Sequence, residues 1–224
     1  MTSEQQVEAA LKSYEDVDSW KTIIFLYNAA LKEVGTKLEI LNDEFQHVHQ
    51  YNPIEHIKTR IKTPESIVKK LRRYGHETSI ENMVRYVNDI AGIRISCSFT
   101  SDIYLIADMI SKQNDLTILA RRDYMKNPKK SGYRSYHMLI TVPIQTTKGI
   151  CPTKVEIQIR TIAMDFWASL EHKIYYKSDF EAPDYLQREL KACADVVDML
   201  DAKMFSLNQA ILEWNRRDDG KQEE

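Results

Sequence analysis

The sequence of 224 residues is long enough for one sizeable core, or for one core with helical extensions. It is 43% hydrophobic and 29% charged, which predicts an ordered, helix-rich protein, and its formal net charge of −2 argues against a general nucleic-acid binder. No apolar run approaches the ~18 residues of a membrane span, and the N-terminus lacks the layout of a secretory signal. Cys97, Cys151 and Cys193 are far apart and have no metal-ligand spacing, so we expect free thiols in a cytoplasmic protein.

The first predicted element is a long helix over roughly residues 15–50. Apolar residues recur along it at alternating spacings of three and four, which is typical of a helical seam. The favoured interpretation is that the seam simply covers a central domain. The alternative is that part of it joins subunits, because the helix is longer than one small core needs. Its residues are Val17, Trp20, Ile24, Tyr27, Leu31, Val34, Leu38, Leu41, Phe45 and Val48.

The middle of the chain alternates between helices and strands. Thr63-Pro64-Glu65 is typical of a helix start, and Gly75 is a suitable stop for that helix. Further helices are predicted over 79–87, 101–112 and 161–177, and strands over 92–99, 116–124, 134–143 and 153–160. Strands interleaved with helices and flanked by them predict an α/β or α+β sheet domain.

A second long seam runs from about 184 to 215, and a polar tail follows it. The same two interpretations apply: the helix covers the core or contacts another subunit. Its apolar residues are Leu186, Leu190, Cys193, Val197, Leu200, Met204, Leu207, Ile211 and Trp214.

Three predicted strands have a concentrated polar face, because side chains alternate across a strand. An antiparallel sheet with one wet face is the simpler alternative. However, wet faces usually mix Lys, Glu and Thr, whereas these faces concentrate Arg, Gln, His and Ser, which favours a binding cleft. The polar residues are Arg94, Ser96 and Ser98, then Ser135 and His137, then Glu156, Gln158 and Arg160.

Two basic stretches, 58–73 and 121–134, predict two anionic sites on an otherwise mildly acidic protein. Ser66, Lys70 and Arg73 share one side of the helix over 64–75, whose N-terminus favours phosphate. A solvated basic helix face is the alternative. There is no Walker motif and no GxGxxG, so any nucleotide site must be built from side chains.

Asp89 and Glu156 are isolated carboxylates in stretches rich in positive charge. They either meet at Mg²⁺ over a polyphosphate, or each neutralises a neighbouring arginine. His137 has three possible roles that spacing does not separate: general acid, phosphate donor or structural histidine.

Four segments in order resemble RelA/SpoT-type (p)ppGpp synthetases: RIKTPESIVKKLRRYG, DIAGIRISC, RDYMKNPKKSGYRSYH and VEIQIRTIAMDFWASLEHKIYYK. The resemblance implies a nucleotidyltransferase-like α+β fold with a mixed central sheet and flanking helices. It divides the chain into an N-terminal helical extension (1–51), a synthetase domain (52–178) and a C-terminal helical extension with a polar tail (179–224). The AMDFWASLEHKIYYK and NPIEH stretches are most similar to the RelP-type branch of small alarmone synthetases.

The implied activity is transfer of pyrophosphate from ATP to the 3′-hydroxyl of GDP or GTP in the stringent response. Long relatives carry a hydrolase domain for which this chain has no room, so synthesis without hydrolysis is expected. The small synthetases also suggest a homotetramer joined through the terminal helices.

The resemblance also implies a role for each matching residue. Arg60 and Arg94 would sandwich adenine, and Asp89 and Glu156 would bind Mg²⁺, with Glu156 also taking the proton of the acceptor hydroxyl. Tyr133 would stack on guanine. The ATP phosphates would be held by Lys62, Ser66, Lys70 and Arg73. The acceptor phosphates would be held by Arg122, Lys130, His137 and Arg160, with Gln158 and Ser135 as supporting hydrogen-bonding groups.

Asp165 departs from relatives that have Asn at this position, although an acid also suits the guanine N1 and N2 groups. Arg134 has no role that the motifs supply. Three other functions remain as alternatives: a nucleotide- or RNA-binding regulator without chemistry, a nucleotidyltransferase with another acceptor, and a helical scaffold.

Overall fold

The computed structural model describes residues 20–48, 51–176 and 183–222. Val17 of the predicted first seam, Lys177 of the predicted helix over 161–177 and the domain boundary at 178/179 lie outside these residues. The helices are α1 (Trp20–Val48), α2 (Pro64–Arg73), α3 (Ile80–Tyr86), α4 (Thr100–Ser111), α5 (Ile162–Tyr176) and α6 (Asp184–Gln222). The strands are β1 (Ile54–Ile61), β2 (Ala91–Cys97), β3 (Thr117–Asp123), β4 (Tyr136–Thr146) and β5 (Gly149–Thr161).

The strands form one mixed sheet in the order β1-β2-β5-β4-β3. Only the β2–β5 pair is parallel; the other neighbouring pairs are antiparallel. The predicted α+β class with a mixed central sheet is therefore confirmed. The register places Glu156 of β5 opposite Gly92 of β2 and Leu139 of β4, at the middle of the sheet.

The two faces of the sheet differ as the alternation predicts. Ile93, Ile95, Met138, Ile157 and Ile159 are at most 1% exposed and pack on the face covered by α1 and α4. The charged and hydrogen-bonding side chains of β2, β4 and β5 stand on the opposite face. One face thus supplies the core, and the other is left for a polar site.

Helix α1 covers the core, which supports the simpler interpretation of the first seam. Ile23, Leu26, Tyr27 and Ala30 are almost fully buried in the same cluster as the sheet, whereas Val48 at the far end is exposed. The buried face also includes Ile23, Leu26 and Ala30, which the predicted seam omitted. The sheet contacts a broader stripe of the helix than the single line of apolar residues in the prediction.

Strand β1 was missed by the sequence interpretation. Ile54, Ile57 and Ile61 are spaced three and four apart, which masks the period of a strand. The register shifts between Ile54 and His56, so an irregularity breaks the alternation, and the edge position leaves most of the strand exposed.

Helix α2 begins and ends as predicted. The Thr63 hydroxyl accepts a hydrogen bond from the Ser66 amide at 3.4 Å, which caps the helix. At the other end Gly75 adopts a φ of +75°, and the His76 amide donates to the Leu71 carbonyl at 3.0 Å. The basic face of α2 therefore has a fixed position beside the sheet.

Helix α6 is docked through its first half and extends past the predicted end at 215. Ala194 and Asp201 are buried, but Met204, Leu207 and Ile211 are 50–58% exposed and Trp214 is 71% exposed. This helix therefore leaves part of its apolar seam uncovered in a single chain. No helix within the described residues is long and apolar enough to cross a membrane.

Candidate active site

The polar face of the sheet forms the floor of a cavity of about 500 Å³. All five strands, the segment before β2, the β3–β4 loop and helix α5 contribute to it. The sequence placed the functional residues on separate strands, and the register brings most of them together here. The lining residues are Arg60, Asp89, Arg94, Arg122, Tyr124, Lys129, Tyr133, His137, Glu156, Gln158, Arg160, Ala168, Ser169, Glu171, His172 and Lys173.

One end of the cavity, which we call the donor half, is cationic. It is lined by Arg60, Asp89 and Arg94, and Lys62 and Lys70 belong to it through their contacts with Asp89. Asp89 accepts hydrogen bonds from Lys62 Nζ at 2.9 Å and from Lys70 Nζ at 2.8 Å. Burial acts to raise the pKa of the Asp89 carboxyl, but the two lysines outweigh it and hold this pKa below its usual value. Asp89 is thus ionised at neutral pH and holds both ammonium groups at the cavity.

Arg60 and Arg94 lie on neighbouring strands with Gly92 between them. Arg60 pairs with Gly92 across the β1–β2 ladder, and all three residues line a smaller cleft together with Gln158. A Cβ at position 92 would lie 3.4 Å from the Arg60 side chain. The glycine therefore leaves open space beside two guanidinium groups, which are suited to stacking on a flat ring.

Glu156 lies at the centre of the site. One carboxylate oxygen accepts a hydrogen bond from Gln158 Nε2 at 2.8 Å, and the other lies 3.7 Å from His137 Nδ1. Burial raises the pKa of Glu156, but the His137 and Gln158 contacts outweigh it and lower this pKa overall. Burial also lowers the pKa of His137 despite the nearby carboxylate, so the imidazole is neutral at pH 7.

The chemistry of Asp89 and Glu156 fits Mg²⁺. Both carboxylates border the same cavity, and the charge of Asp89 acts on Glu156. Within the described ranges, no group of three or more His, Cys, Asp or Glu side chains is placed to hold a metal by itself. A cation held by these two carboxylates would need the remaining oxygen ligands from a substrate or from water, as Mg²⁺ commonly does.

The other end of the cavity, which we call the acceptor half, is organised around Arg160, which is only 4% exposed. Its Nη2 donates to the Tyr133 hydroxyl and to Gln158 Oε1, both at 2.6 Å. Its Nε donates to Ser135 Oγ at 3.4 Å and its Nη1 to Asp165 Oδ1 at 3.2 Å. Asp165 also pairs with Arg94 at 3.1 Å, so this carboxylate joins the two halves.

Aromatic rings line the acceptor half. The Tyr133 ring packs edge-on against Tyr124 and His137, and its hydroxyl lies 2.8 Å from His137 Nε2. Lys129 Nζ lies 4.5 Å from the centre of the Tyr133 ring and 5.0 Å from that of Tyr124. Rings combined with cations suit a nucleobase that carries phosphates.

The chain is similar to known proteins over most of its length. A family model described as a region found in RelA/SpoT proteins matches residues 59–181. The Bacillus subtilis GTP pyrophosphokinase YwaC is 46% identical over 87% of this chain and 93% of its own length. The GTP pyrophosphokinase YjbM of the same organism is 36% identical over 88% of this chain and 92% of its own.

The chain belongs to the RelA/SpoT family. Among solved structures, small alarmone synthetase 2 of B. subtilis superposes with a TM-score of 0.77 at 45% identity, covering 85% of this chain and 98% of that one. Small alarmone synthetase 1 of B. subtilis bound to its product pppGpp has a TM-score of 0.80 at 34% identity, covering 86% and 97%. Membership of the RelP-type branch stays a prediction.

The structure brings most of the residues implied by the RelA/SpoT resemblance to the cavity, but not all of them. Arg122 reaches it from β3, and Lys62 reaches it through Asp89. Arg73 and Lys130 are exposed and line none of the cavities described above, and neither does Ser66. Ser135 and Asp165 do not line the cavity either and contact it through Arg160. The roles implied for all of these residues remain predictions.

Several residues that line the cavity were given no role by the interpretation of the RelA/SpoT motifs. Lys129, rather than its neighbour Lys130, lies over the tyrosine rings; both belong to the same basic stretch, and only the turn decides which one points inward. Tyr124 closes the edge of the acceptor half, and Glu171, His172 and Lys173 reach the cavity from α5. Their position depends on the docking of α5, which no short motif reports.

Proposed function

We propose that this RelA/SpoT family member is a small alarmone synthetase that makes ppGpp or pppGpp. It transfers pyrophosphate from ATP to the 3′-hydroxyl of GDP or GTP and releases AMP. The observation that carries the proposal is the position of Glu156, a partly buried carboxylate between the cationic donor half and the ring-lined acceptor half. The similarity to two GTP pyrophosphokinases over nearly their whole length supports it.

The donor half suits ATP. Arg60 and Arg94 stack on the two faces of adenine across the space left by Gly92. Lys62 and Lys70 turn from Asp89 toward the phosphates, with Ser66 and Arg73 completing the phosphate contacts. Phosphoryl-type transfer requires mainly in-line positioning and neutralisation of charge, which these cations supply.

The acceptor half suits GDP or GTP. Tyr133 stacks on guanine, and Asp165 accepts hydrogen bonds from the guanine N1 and N2 groups. Acceptor phosphates are bound by the cationic and hydrogen-bonding residues at this end. These are Arg122, Lys130, His137 and Arg160, with Gln158 and Ser135 orienting them.

In the transfer itself, the 3′-oxygen bonds to the β-phosphorus of ATP while the bond to the α,β-bridging oxygen breaks. AMP leaves with that oxygen, and the proton of the hydroxyl passes to a Glu156 oxygen. The lowered pKa of Glu156 keeps the side chain in the ionised form that a proton acceptor requires, at the cost of a weaker base. Asp89 and Glu156 would hold Mg²⁺, which neutralises developing phosphate charge when bound.

The assay that tests this function is incubation with ATP, GDP or GTP and Mg²⁺, followed by nucleotide separation. We expect AMP and a 3′-pyrophosphorylated guanine nucleotide, and no hydrolysis of that product. Release of pyrophosphate in place of AMP would identify a nucleotidyltransferase instead. Binding of nucleotides, seen as a raised Tm, without any product would identify a regulator.

We also propose that the protein is a cytoplasmic homotetramer joined through its terminal helices. The support is the apolar face of α6, where Leu200, Met204, Leu207 and Ile211 are about half exposed in the single chain. Sedimentation velocity is expected to give a mass of four chains. A monomer at micromolar concentration would refute the assembly but not the reaction.

A further inference from the structure

The acceptor-half loop, residues 124–135 between β3 and β4, carries Tyr124, Lys129 and Tyr133 into the cavity. It is longer than the ~2–5 residues of an ordinary hairpin connection. Within the loop, the Gly132 amide donates to the Lys129 carbonyl at 2.8 Å and the Lys129 amide to the Tyr133 carbonyl at 3.2 Å. These bonds shape a turn, but they do not attach the loop to the rest of the protein.

Arg134 supplies such an attachment. Its Nη2 lies 3.0 Å from Asp198 Oδ2 on α6, and its Nη1 donates to the Met125 carbonyl at 3.1 Å. One side chain therefore joins both ends of the loop to the C-terminal helix. This contact accounts for a residue to which the family motifs gave no role.

Gly132 makes a second attachment. Its φ is +88°, a left-handed conformation that favours glycine, and a Cβ there would lie only 2.5 Å from the Ala194 Cβ of α6. The loop backbone thus rests directly on the helix at this point.

The ring of Tyr133 is buried between α5 and the same helix, α6. Tyr133, Trp167, Ala168 and Ala194 form a small cluster separate from the main core, with Tyr133 8% exposed. Trp167 Nε1 also donates to the Leu190 carbonyl of α6 at 3.1 Å. The position of the ring therefore depends partly on α6, beside α5 and the hydrogen bond from Arg160 to the Tyr133 hydroxyl. The donor half is fixed instead by Asp89 and by the bond from the Lys62 amide to the Ile90 carbonyl at 2.8 Å.

We propose, building on the proposed function, that Arg134 and Asp198 are positioning residues through which α6 sets the affinity for the acceptor nucleotide. Neither side chain lines the substrate cavity; both act by holding the loop that presents Tyr133 and Lys129. Loss of the pair lets the loop leave the helix, so guanine must order the loop as it binds. The binding of ATP requires no such ordering.

The test compares Asp198→Ala and Arg134→Ala with the wild type by steady-state kinetics. We expect KM for GDP to rise roughly three- to fivefold, the range that a half-exposed ion pair can supply, while KM for ATP and kcat stay within about 1.5-fold. Exchanging the charges, Arg134→Asp together with Asp198→Arg, is expected to recover most of the acceptor affinity that either single reversal loses.

The chain offers a closely matched control pair, Lys37 and Asp115. Its ion pair spans 2.7 Å with side chains 26% and 43% exposed, against 3.0 Å with 24% and 43% for Arg134 and Asp198. It joins α1 to the segment before β3, away from the cavity. Asp115→Ala is expected to leave both KM values unchanged. Equal rises in the two KM values for Asp198→Ala, or no rise in either, would refute the positioning role.

Hydrogen exchange gives a readout that does not depend on catalysis. Amides of residues 124–135 are expected to exchange severalfold faster in Asp198→Ala and at the wild-type rate in Asp115→Ala. Should the wild type make no alarmone, the proposed function fails, and this comparison alone still decides whether α6 holds the loop. Unchanged exchange in Asp198→Ala would overturn the inference.

Discussion

The donor and acceptor halves of the cavity hold their cations in opposite ways. In the donor half, Lys62 and Lys70 share one carboxylate, Asp89, and keep donors that can turn toward phosphate. In the acceptor half, Arg160 is buried and its hydrogen bonds are already directed at four protein partners. The donor half is thus prepared for a polyanion, whereas the acceptor half uses its arginine mainly to hold other side chains in place.

The two halves also differ in what supports them. Arg60, Gly92 and Arg94 stand on paired strands, whose positions are fixed by ladder hydrogen bonds. Tyr133 and Lys129 stand on a loop that depends on α6. Changes at each half should therefore have distinguishable effects on kinetics and on stability.

The largest effect is expected at Glu156, where the halves meet. Glu156→Gln keeps the shape and the neighbours of the side chain but removes the proposed proton acceptor, so kcat should fall by roughly 10²–10⁴. Quantifying AMP and the alarmone by nucleotide separation checks this. Glu39→Gln, an exposed change on α1, is the control. Activity of Glu156→Gln within tenfold of the wild type would remove Glu156 from the proton transfer.

The same substitution at Arg94 and at Arg160 tests directly whether the two halves differ. Lysine keeps the charge but loses the planar fork of donors. Arg94→Lys is expected to raise KM for ATP about tenfold at nearly unchanged Tm. Arg160→Lys breaks up to four buried contacts, so we expect about 2 kcal/mol lower stability and a higher KM for the acceptor. A Tm loss for Arg94→Lys equal to that of Arg160→Lys would erase the distinction.

Asp165 links the halves, since one of its oxygens contacts both Arg94 and Arg160. Asp165→Asn keeps the shape but leaves the two cations without a shared anion. We expect KM to rise for both nucleotides, by about two- to tenfold, and stability to fall by about 1 kcal/mol. Steady-state kinetics with each substrate varied in turn separates this from a guanine-specific role, which would raise only the acceptor KM.

The smallest effect concerns Asp201, which supports the acceptor half from α6 by accepting a hydrogen bond from Thr161 at 2.6 Å. Burial raises the pKa of Asp201 above its usual value. The folded state then binds more protons than the unfolded state between the two pKa values, so this group lowers stability as pH rises through that window. Asp201→Asn should raise Tm slightly at pH 7, and the gain should shrink as pH falls toward 4.

Thermal melts of Asp201→Asn and wild type at both pH values test this. The informative quantity is whether the Tm of Asp201→Asn lies above or below that of the wild type at each pH. A loss of stability at pH 7 that persists unchanged at low pH would mean that the hydrogen bond with Thr161 outweighs the cost of burying the charge.

The prediction of the sheet from sequence succeeded where one periodicity governed a segment. The alternation in β5 separated Ile157 and Ile159 from Glu156 and Gln158, and the structure confirms the two faces. The prediction missed strand β1 because an irregularity after Ile54 interrupts the alternation of a strand. The two terminal seams are similar in sequence, yet α1 is buried and much of α6 is exposed. Apolar spacing indicates that a helix face is buried against another surface, but it does not indicate which surface that is.

The sequence by itself determined the α+β class, the polar faces of three strands, both carboxylates and, through ordered motifs, the family. Only the tertiary structure decided that Arg160 is an internal hub, that Lys129 rather than Lys130 meets the rings, and that Arg134 reaches Asp198. The physical reason is the separation along the chain of the residues that determine each feature. Periodicity and capping are set by neighbours along the chain, whereas these contacts join residues brought together by sheet register and helix docking.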